Sequence, residues 1–246
     1  MLQSHLLEIA VFNIASALQA IEAGADRLEL CENPSDGGTT PSYGTLKTVR
    51  EKVSIPVFPI IRPHGGDFLY GDEEFEVMKQ DIRVCKDLQF EGVVTGLLTI
   101  DGNIDTIRTQ RLVELAWPME LTFHRAFDRA KNPVQALEDL ISCGCNRILT
   151  SGQVPKAPDG KELIKELVEK AGERIIILPG SGIRADNIKD LAMYTGAREL
   201  HSSARKSIPS AMQFQSDSMH EQLENITVDA QEIQSMKQAL ISLAVS

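Results

Sequence analysis

Eight short apolar runs alternating with helical patterns predict an α/β chain folded as a single (β/α)8 TIM barrel. Two further observations support that class. The 246 residues suit one barrel of this kind. A grammar also recurs, in which a helix end, a glycine turn and a basic residue lead into a strand. It is written "AIEAGADRLELCEN", "DLISCGCNRILTSG" and "LAMYTGARELHSSA", with a looser copy in "CKDLQFEGVVTGLL". Each glycine suits a helix C-terminus, where a positive φ is often required. The rival class is an open doubly wound sheet, which normally carries a "GxGxxG" turn after its first strand. Here "FNIASALQA" follows that strand and contains no glycine.

The eight runs are 6–12, 27–33, 57–63, 92–99, 119–128, 147–152, 174–180 and 199–203. Each is short and apolar, as parallel strands covered on both faces are. Helical patterns fill the gaps. Thr40-Pro41 reads as an N-cap followed by proline at the first helical position. Asp72 reads as the cap of "EEFEVMKQDIRVCKDL", and Asp186 as the start of "NIKDLAM". The last helix is "VDAQEIQSMKQALISLAV". No linker divides the chain, so residues 1–246 are expected as one domain. An extended loop at about 204–227 precedes the last helix and is expected to cross the top of the barrel.

Composition narrows the function. Aromatic residues make up only 5 % of the chain, so its 42 % hydrophobic content implies an aliphatic core. The formal charge of −10, without a basic block, argues against nucleic acid and anionic membranes as partners. Cys31, Cys85, Cys143 and Cys145 do not form the disulfide framework of a small secreted domain, so a reducing cytoplasm is expected. "LLEIAVFNIASALQA" has a signal-like ending, but no positive segment precedes it and Glu8 interrupts it. No run approaches the ~18 apolar residues of a membrane span.

Strand parity locates a candidate site. Alternate residues of a barrel strand face inward. With Leu7, Ile9, Val11, Leu28 and Leu30 toward the helices, Glu8, Glu29 and Cys31 face the interior. Arg62 shares a face with Phe58 and Ile60; His124 and Asp128 share another, and Glu199, His201 and Ser203 a third. Glu8, Glu29, Arg62, His124, Asp128 and His201 are therefore the expected catalytic set. The bland alternative is a buried structural ion network, with Arg62 paired to Glu8 or Glu29. Arg125 has the opposite parity to His124 and joins the site only if its strand ends there.

"LPGSGIRADN" follows the seventh run and "HSSARKS" the eighth, where barrels often bind phosphate. Gly180, Ser181, Gly182, Ser202 and Ser203 are the expected anion-binding residues there, with Arg205 and Lys206 adding charge. Ser151 and Gly152 of "TSGQ", together with Arg125, are expected to contribute. "NPSDGGTTPSYG" and "RPHGGDFLYGDEEF" are long loops suited to lids. Cys143 and Cys145 precede the sixth run and read as turn and core residues. Only Cys31 reaches the proposed site as a soft ligand, with Met212, Met219 and His220 in the late loop as further soft or borderline donors. No lysine lies on the eight runs, which disfavours Schiff-base chemistry, and neither G-x-S-x-G nor H-E-x-x-H occurs.

The segments "ADRLELCENPSDGGTTPSYG", "PVFPIIRPHGGDFLY", "VTGLLTIDGNID", "TFHRAFD", "RILTSGQ" and "ELHSSA" occur in order and spacing. In them the chain resembles the CutC copper-homeostasis family over nearly its whole length. The resemblance implies a (β/α)8 barrel, a cytoplasmic protein and a link to copper, with Cu(I) bound or handled. Its recurring motifs cover Glu29, Cys31, Arg62, His124, Arg125, Asp128, Ser151, His201, Ser202 and Ser203. Two segments depart from the family pattern: "CGC" replaces the usual turn, and "MQFQ" places Gln215 where the pattern has arginine. The residues themselves point to a second reading, an acid–base lyase, isomerase or hydrolase acting on a small phosphorylated or carboxylated molecule. A homo-oligomer, most simply a dimer, is expected.

Overall fold

The computed structural model of the protein describes residues 5–214, 216–220 and 223–243. Eight strands alternate with helices. They are β1 (Leu6–Val11), β2 (Arg27–Leu30), β3 (Val57–Pro59), β4 (Gly92–Thr95), β5 (Glu120–Phe123), β6 (Arg147–Thr150), β7 (Ile176–Pro179) and β8 (Glu199–Ser202). Between and after them run α1 (Ile14–Glu22), α2 (Tyr43–Lys52), α3 (Asp72–Asp87), α4 (Thr106–Ala116), α5 (Pro133–Cys143), α6 (Lys161–Ala171), α7 (Ile188–Thr195) and α8 (Ala230–Leu243). All barrel pairings are parallel. One arc runs β3-β2-β1-β8 and the other β4-β5-β6-β7. An Ile60–Val94 bridge joins them at β3 and β4. At the other seam β7 and β8 pack together without a ladder among the described residues. The expected (β/α)8 barrel is present.

Strand parity produces two layers of packing. Leu7, Ile9, Val11, Leu28 and Leu30 are fully buried between strands and helices in the main aliphatic core. Inside the ring lies a separate small cluster of Cys31, Phe58, Ile60 and Val94. The rest of the interior is ionic. Register sets Glu8 level with Arg27 on β2 and His201 on β8. Arg27 ion-pairs with Glu8 and donates to Glu199 at 2.6 Å. Arg147 donates to the same Glu199 at 2.7 Å and to Glu120 at 3.1 Å. Both guanidiniums lie over the Phe58 ring, at 5.0 and 5.4 Å. The structural ion network therefore exists, but its cations are Arg27 and Arg147 at the strand starts. Arg62 pairs with neither Glu8 nor Glu29 among the described residues.

Several local expectations change. The cap of α2 is Ser42, whose hydroxyl accepts from Thr45 N; Thr40 instead accepts from Arg62 N. Proline at position 41 sits too early to be the first helical residue. Gly71 occupies the cap of α3, and Asp72 is its first helical residue. The cap of α7 is Asn187 rather than Asp186. In the looser repeat the left-handed position falls on Gln89, at φ 61°, because the glycine of that segment already opens β4. The late segment is also structured. It forms an antiparallel hairpin, β9 (Arg205–Pro209) and β10 (Glu224–Val228), and Lys206 sits on β9 outside the barrel. Asn13 Nδ2 donates to Ile226 O at 3.0 Å, which ties the hairpin to the start of α1. Gln215 lies outside the described residues.

Removing Arg27 leaves Glu8 and Glu199 short of a buried partner. Arg27→Ala is expected to lower unfolding stability by about 3–5 kcal/mol in urea titrations. A loss under about 1 kcal/mol would show that the ionic floor contributes little.

Candidate functional site

A cavity of about 480 Å³ opens at the C-terminal end of the barrel. That is ample for a small metabolite. Its walls include Glu29, Cys31, Arg62, His124, Arg125, Asp128 and His201, so parity brings most of the expected set together. Glu8 lies one layer below, as the link between floor and cavity.

His201 sits between two carboxylates. Its Nδ1 is 2.8 Å from Glu8 Oε1, and its Nε2 is 3.7 Å from Glu29 Oε2. Gly180 makes room for the ring, since a Cβ there would come within 2.5 Å of Leu149 and 3.1 Å of His201. Burial opposes ionisation of Glu8, but Arg27 and His201 overcome it and hold the carboxyl at about 2. Burial also opposes charging of His201. The bond to Glu8 and the charges of Glu29 and Glu8 outweigh it and raise the imidazole above its ordinary value. Glu29 has no arginine of its own; burial pushes it up to about 7, against the pull of His201. Glu29 thus exchanges a proton near neutral pH, beside an imidazole whose charged form is favoured. Burial and the adjacent Glu29 push the Cys31 thiol well up, so it stays protonated.

His124 behaves oppositely. β5 ends at Phe123, and a 3-10 turn over Arg125–Arg129 begins where the ring projects. Its Nδ1 accepts from Ala126 N at 3.2 Å, which assigns the ring proton to Nε2. Burial and the Arg62 charge depress it to about 3, so it is a neutral donor at pH 7. Gly96 permits this approach, because a Cβ there would lie 2.5 Å from His124 Nδ1. Phe68, from the loop after β3, packs against both His124 at 4.9 Å and the Arg62 guanidinium at 5.0 Å.

Three backbone carbonyls hold the Arg62 guanidinium. Nη1 donates to Asp36 O at 2.6 Å and Gly38 O at 2.9 Å, and Nη2 to Gly66 O at 3.1 Å. Both long loops suited to lids are thereby fastened to one guanidinium. Arg62 Nε and His124 Nε2 are buried with no hydrogen-bond partner among the described residues. Such a group costs on the order of 1–3 kcal/mol when left unsatisfied. Two of them on one cavity mark a place for an acceptor.

Other expected contributors are arranged differently. Asp128 is saturated, accepting from Thr150 Oγ1 at 2.5 Å, Ser151 N at 3.0 Å, Ser151 Oγ at 2.9 Å, Gln153 N at 3.2 Å and Arg125 Nε at 2.7 Å. The anion held by "TSGQ" is thus the protein's own carboxylate. Ser151 and Gly152, expected to bind a ligand anion, are taken up in this contact and do not line the cavity. Gly180 does not line it either; its N–H donates to Thr150 O. Arg125 reaches the cavity because its strand ends, and it is held by Asp128 and Ser151. Ser181, Gly182, Ser202 and Ser203 do line it. Ser202 Oγ is turned to Ile183 O, while the N–H groups of Gly182, Ile183 and Ser203 have no acceptor among the described residues.

Sequence reasoning missed Arg129 and Arg184, which also line the cavity. Their signal was position, immediately after β5 and β7. It also missed Arg27 and Arg147, whose inward parity matched that of Glu29 and Leu149.

The sequence model of the CutC family matches residues 5–206. A family protein CutC of Chromobacterium violaceum is 51 % identical over 209 residues, covering 85 % of each chain. One from Salmonella heidelberg strain SL476 is 47 % identical over 214 residues, 87 % of this chain and 86 % of its own. A Streptococcus agalactiae crystal structure, described provisionally as a copper homeostasis protein CutC, superposes with a TM-score of 0.78 at 33 % identity. It covers 81 % of this chain and 98 % of its own. A phosphoribosylanthranilate isomerase from Thermotoga maritima, 11 % identical at TM-score 0.60, covers 97 % of this chain and 99 % of its own, and shares the barrel alone. No helix among the described residues is long and apolar enough to cross a membrane.

Because Glu29 is raised from 4.5 to about 7 in the fold, it stabilises the protein fully below pH 4.5. That contribution is lost as pH rises through about 7. Denaturant titrations from pH 4.5 to 8 should show a decline that shrinks in Glu29→Gln, by roughly 3 kcal/mol at most. Identical profiles would place the Glu29 carboxyl near its ordinary value. The chain belongs to the CutC family.

Proposed function

We propose that this chain is an acid–base enzyme, a lyase, isomerase or hydrolase, acting on a small phosphorylated or carboxylated molecule. The observation that carries it is the pair of partnerless buried donors, Arg62 Nε and His124 Nε2, on the cavity that Glu29 and His201 line. An anionic or developing negative oxygen satisfies both donors at once. Glu29 accepts or returns a proton near neutral pH, and His201, oriented by Glu8, shares it. Asp128 and Arg125 position the wall between β5 and β6. The unpaired N–H groups of Gly182, Ile183 and Ser203 suit phosphate oxygens.

Cu(I) binding is the second reading, favoured by the copper homeostasis description of the Streptococcus agalactiae relative and by Cys31 on the cavity wall. The donor set fits it poorly. The Cys31 thiol is held protonated beside Glu29, and Glu8 is engaged with Arg27. Met212 and Met219 are exposed and do not line the cavity. Among the described residues no three His, Cys, Asp or Glu side chains are grouped to hold a metal ion.

Inorganic phosphate at 10–20 mM, to order of magnitude, should raise the melting temperature by about 2–5 °C. Arg62→Ala should abolish the rise in a protein that remains folded by circular dichroism. A phosphate shift unchanged in Arg62→Ala would remove Arg62 from the anion site. Competition with a Cu(I) chelator gives the other arm: tight binding lost in Cys31→Ser but retained in His124→Ala would favour the metal reading.

A further inference from the structure

Five arginines line this one cavity in a chain of net charge −10: Arg62, Arg125, Arg129, Arg184 and Arg205. Only Arg125 has a carboxylate partner among the described residues. Arg62 is held by carbonyls, Arg205 reaches Pro34 O at 3.1 Å, and Arg129 faces the Phe68 ring at 5.9 Å. The Arg184 guanidinium has no ion pair among the described residues. These four guanidiniums share the cavity with Glu29, Asp36 and the already engaged Asp128, so cations still outnumber carboxylates, five arginines to three, more than one anionic group needs.

Their places in the ring divide them. Arg62 follows β3 and Arg129 closes the turn after β5, whereas Arg184 follows β7; Arg205 opens β9 just after β8 but reaches back to Pro34 O in the loop after β2. In an eight-stranded ring β3 and β7 lie four strands apart, on opposite walls. Two cationic walls therefore face each other across the cavity, and Glu29 and His201 lie on the β2 and β8 side between them. The second wall also carries the free N–H groups of Gly182, Ile183 and Ser203, and the first carries the partnerless Arg62 Nε and His124 Nε2.

We infer that the ligand is a two-headed anion, a phosphorylated sugar acid or its like. Its phosphate rests on the wall of Arg184 and the Gly182, Ile183 and Ser203 N–H groups, its carboxylate on the Arg62–His124 wall, and its hydroxyl-bearing carbons lie beside Glu29 and His201. This inference rests on the acid–base reading above and names its substrate class. Phosphate suits the wall rich in backbone N–H groups. A planar carboxylate suits the fork of one buried guanidinium with an imidazole N–H beside it.

The test is isothermal titration calorimetry with matched probes of one and two anionic ends: 6-phosphogluconate against glucose 6-phosphate, and 3-phosphoglycerate against glycerol 3-phosphate. In at least one pair the acid should bind about 10–100-fold more tightly, the range of an added charge-assisted contact. Arg62→Lys should erase that ratio by weakening the acid far more than its one-ended partner. Arg184→Ala, an exposed change that spares the core, should weaken both members of the pair equally. If each phosphate binds as well as its acid, the two-wall assignment is overturned while the anion site stands. If none of the four compounds binds the folded protein, and inorganic phosphate does not either, the acid–base reading falls with it.

Discussion

The buried Arg27–Glu8 contact is the constraint on which the cavity depends. Arg27 is nearly sealed from solvent inside the barrel, where an unpaired guanidinium would be prohibitive. It is kept there by Glu8 and Glu199, and Glu199 in turn holds Arg147. The parallel register does the rest. With Glu8 level with both Arg27 and His201, an ionised Glu8 faces the imidazole one strand away. That carboxylate, with Glu29, favours the charged form of His201 against its burial, and His201 Nε2 lies 3.7 Å from Glu29 Oε2. A charge fixed at the barrel floor thus biases protonation one layer up, at the cavity, through side chains alone.

Two carboxylates illustrate how environment separates roles. Asp128 takes five donors from one loop and the neighbouring arginine, which leaves it no capacity for a ligand. Glu29 is met by the Cys31 thiol and His201 rather than by such a ring of donors, and burial holds it at about 7. The same logic divides the cations. Arg27 and Arg147 are compensated and structural, whereas the arginines around the cavity mostly lack carboxylates. The overall charge of −10 does not forbid an anionic ligand. Charges more than about 8 Å away are largely screened at physiological salt, so the nearby guanidiniums dominate.

Parity made the barrel and much of the cavity legible, because a strand shorter than six residues still alternates strictly. Glu29, Cys31, Arg62, His124 and His201 all followed from it. Arg27 and Arg147 did not. Each stands in the basic position of the repeating turn grammar, where it reads as helix punctuation, although it also begins an inward row. The caps at Ser42 and Gly71 escaped because Thr40-Pro41 and Asp72 each offer a plausible cap one or two residues away. The β9–β10 hairpin escaped because its strands lack apolar alternation. β9 is exposed throughout, so no buried face imposes a pattern. Ser151 looked like an anion donor by residue type; only the position of Asp128, remote in sequence, shows which anion it serves.

Cys31 shows why acid–base chemistry and soft-metal binding compete for the same wall. A thiol binds Cu(I) as the thiolate, so binding must expel a proton. Here burial, Glu29 and Glu8 all hold that proton on sulfur. Neutralising Glu29 would ease thiolate formation, yet Glu29 is poised to be half-charged near pH 7. The burial that raises Glu29 therefore works against Cys31 as a ligand. The small cluster of Phe58, Ile60 and Val94 around the sulfur adds apolar surface and no second soft donor. Chemically, Cys31 is a protonated thiol hydrogen-bonded to Glu29, in a wall whose burial raises both groups.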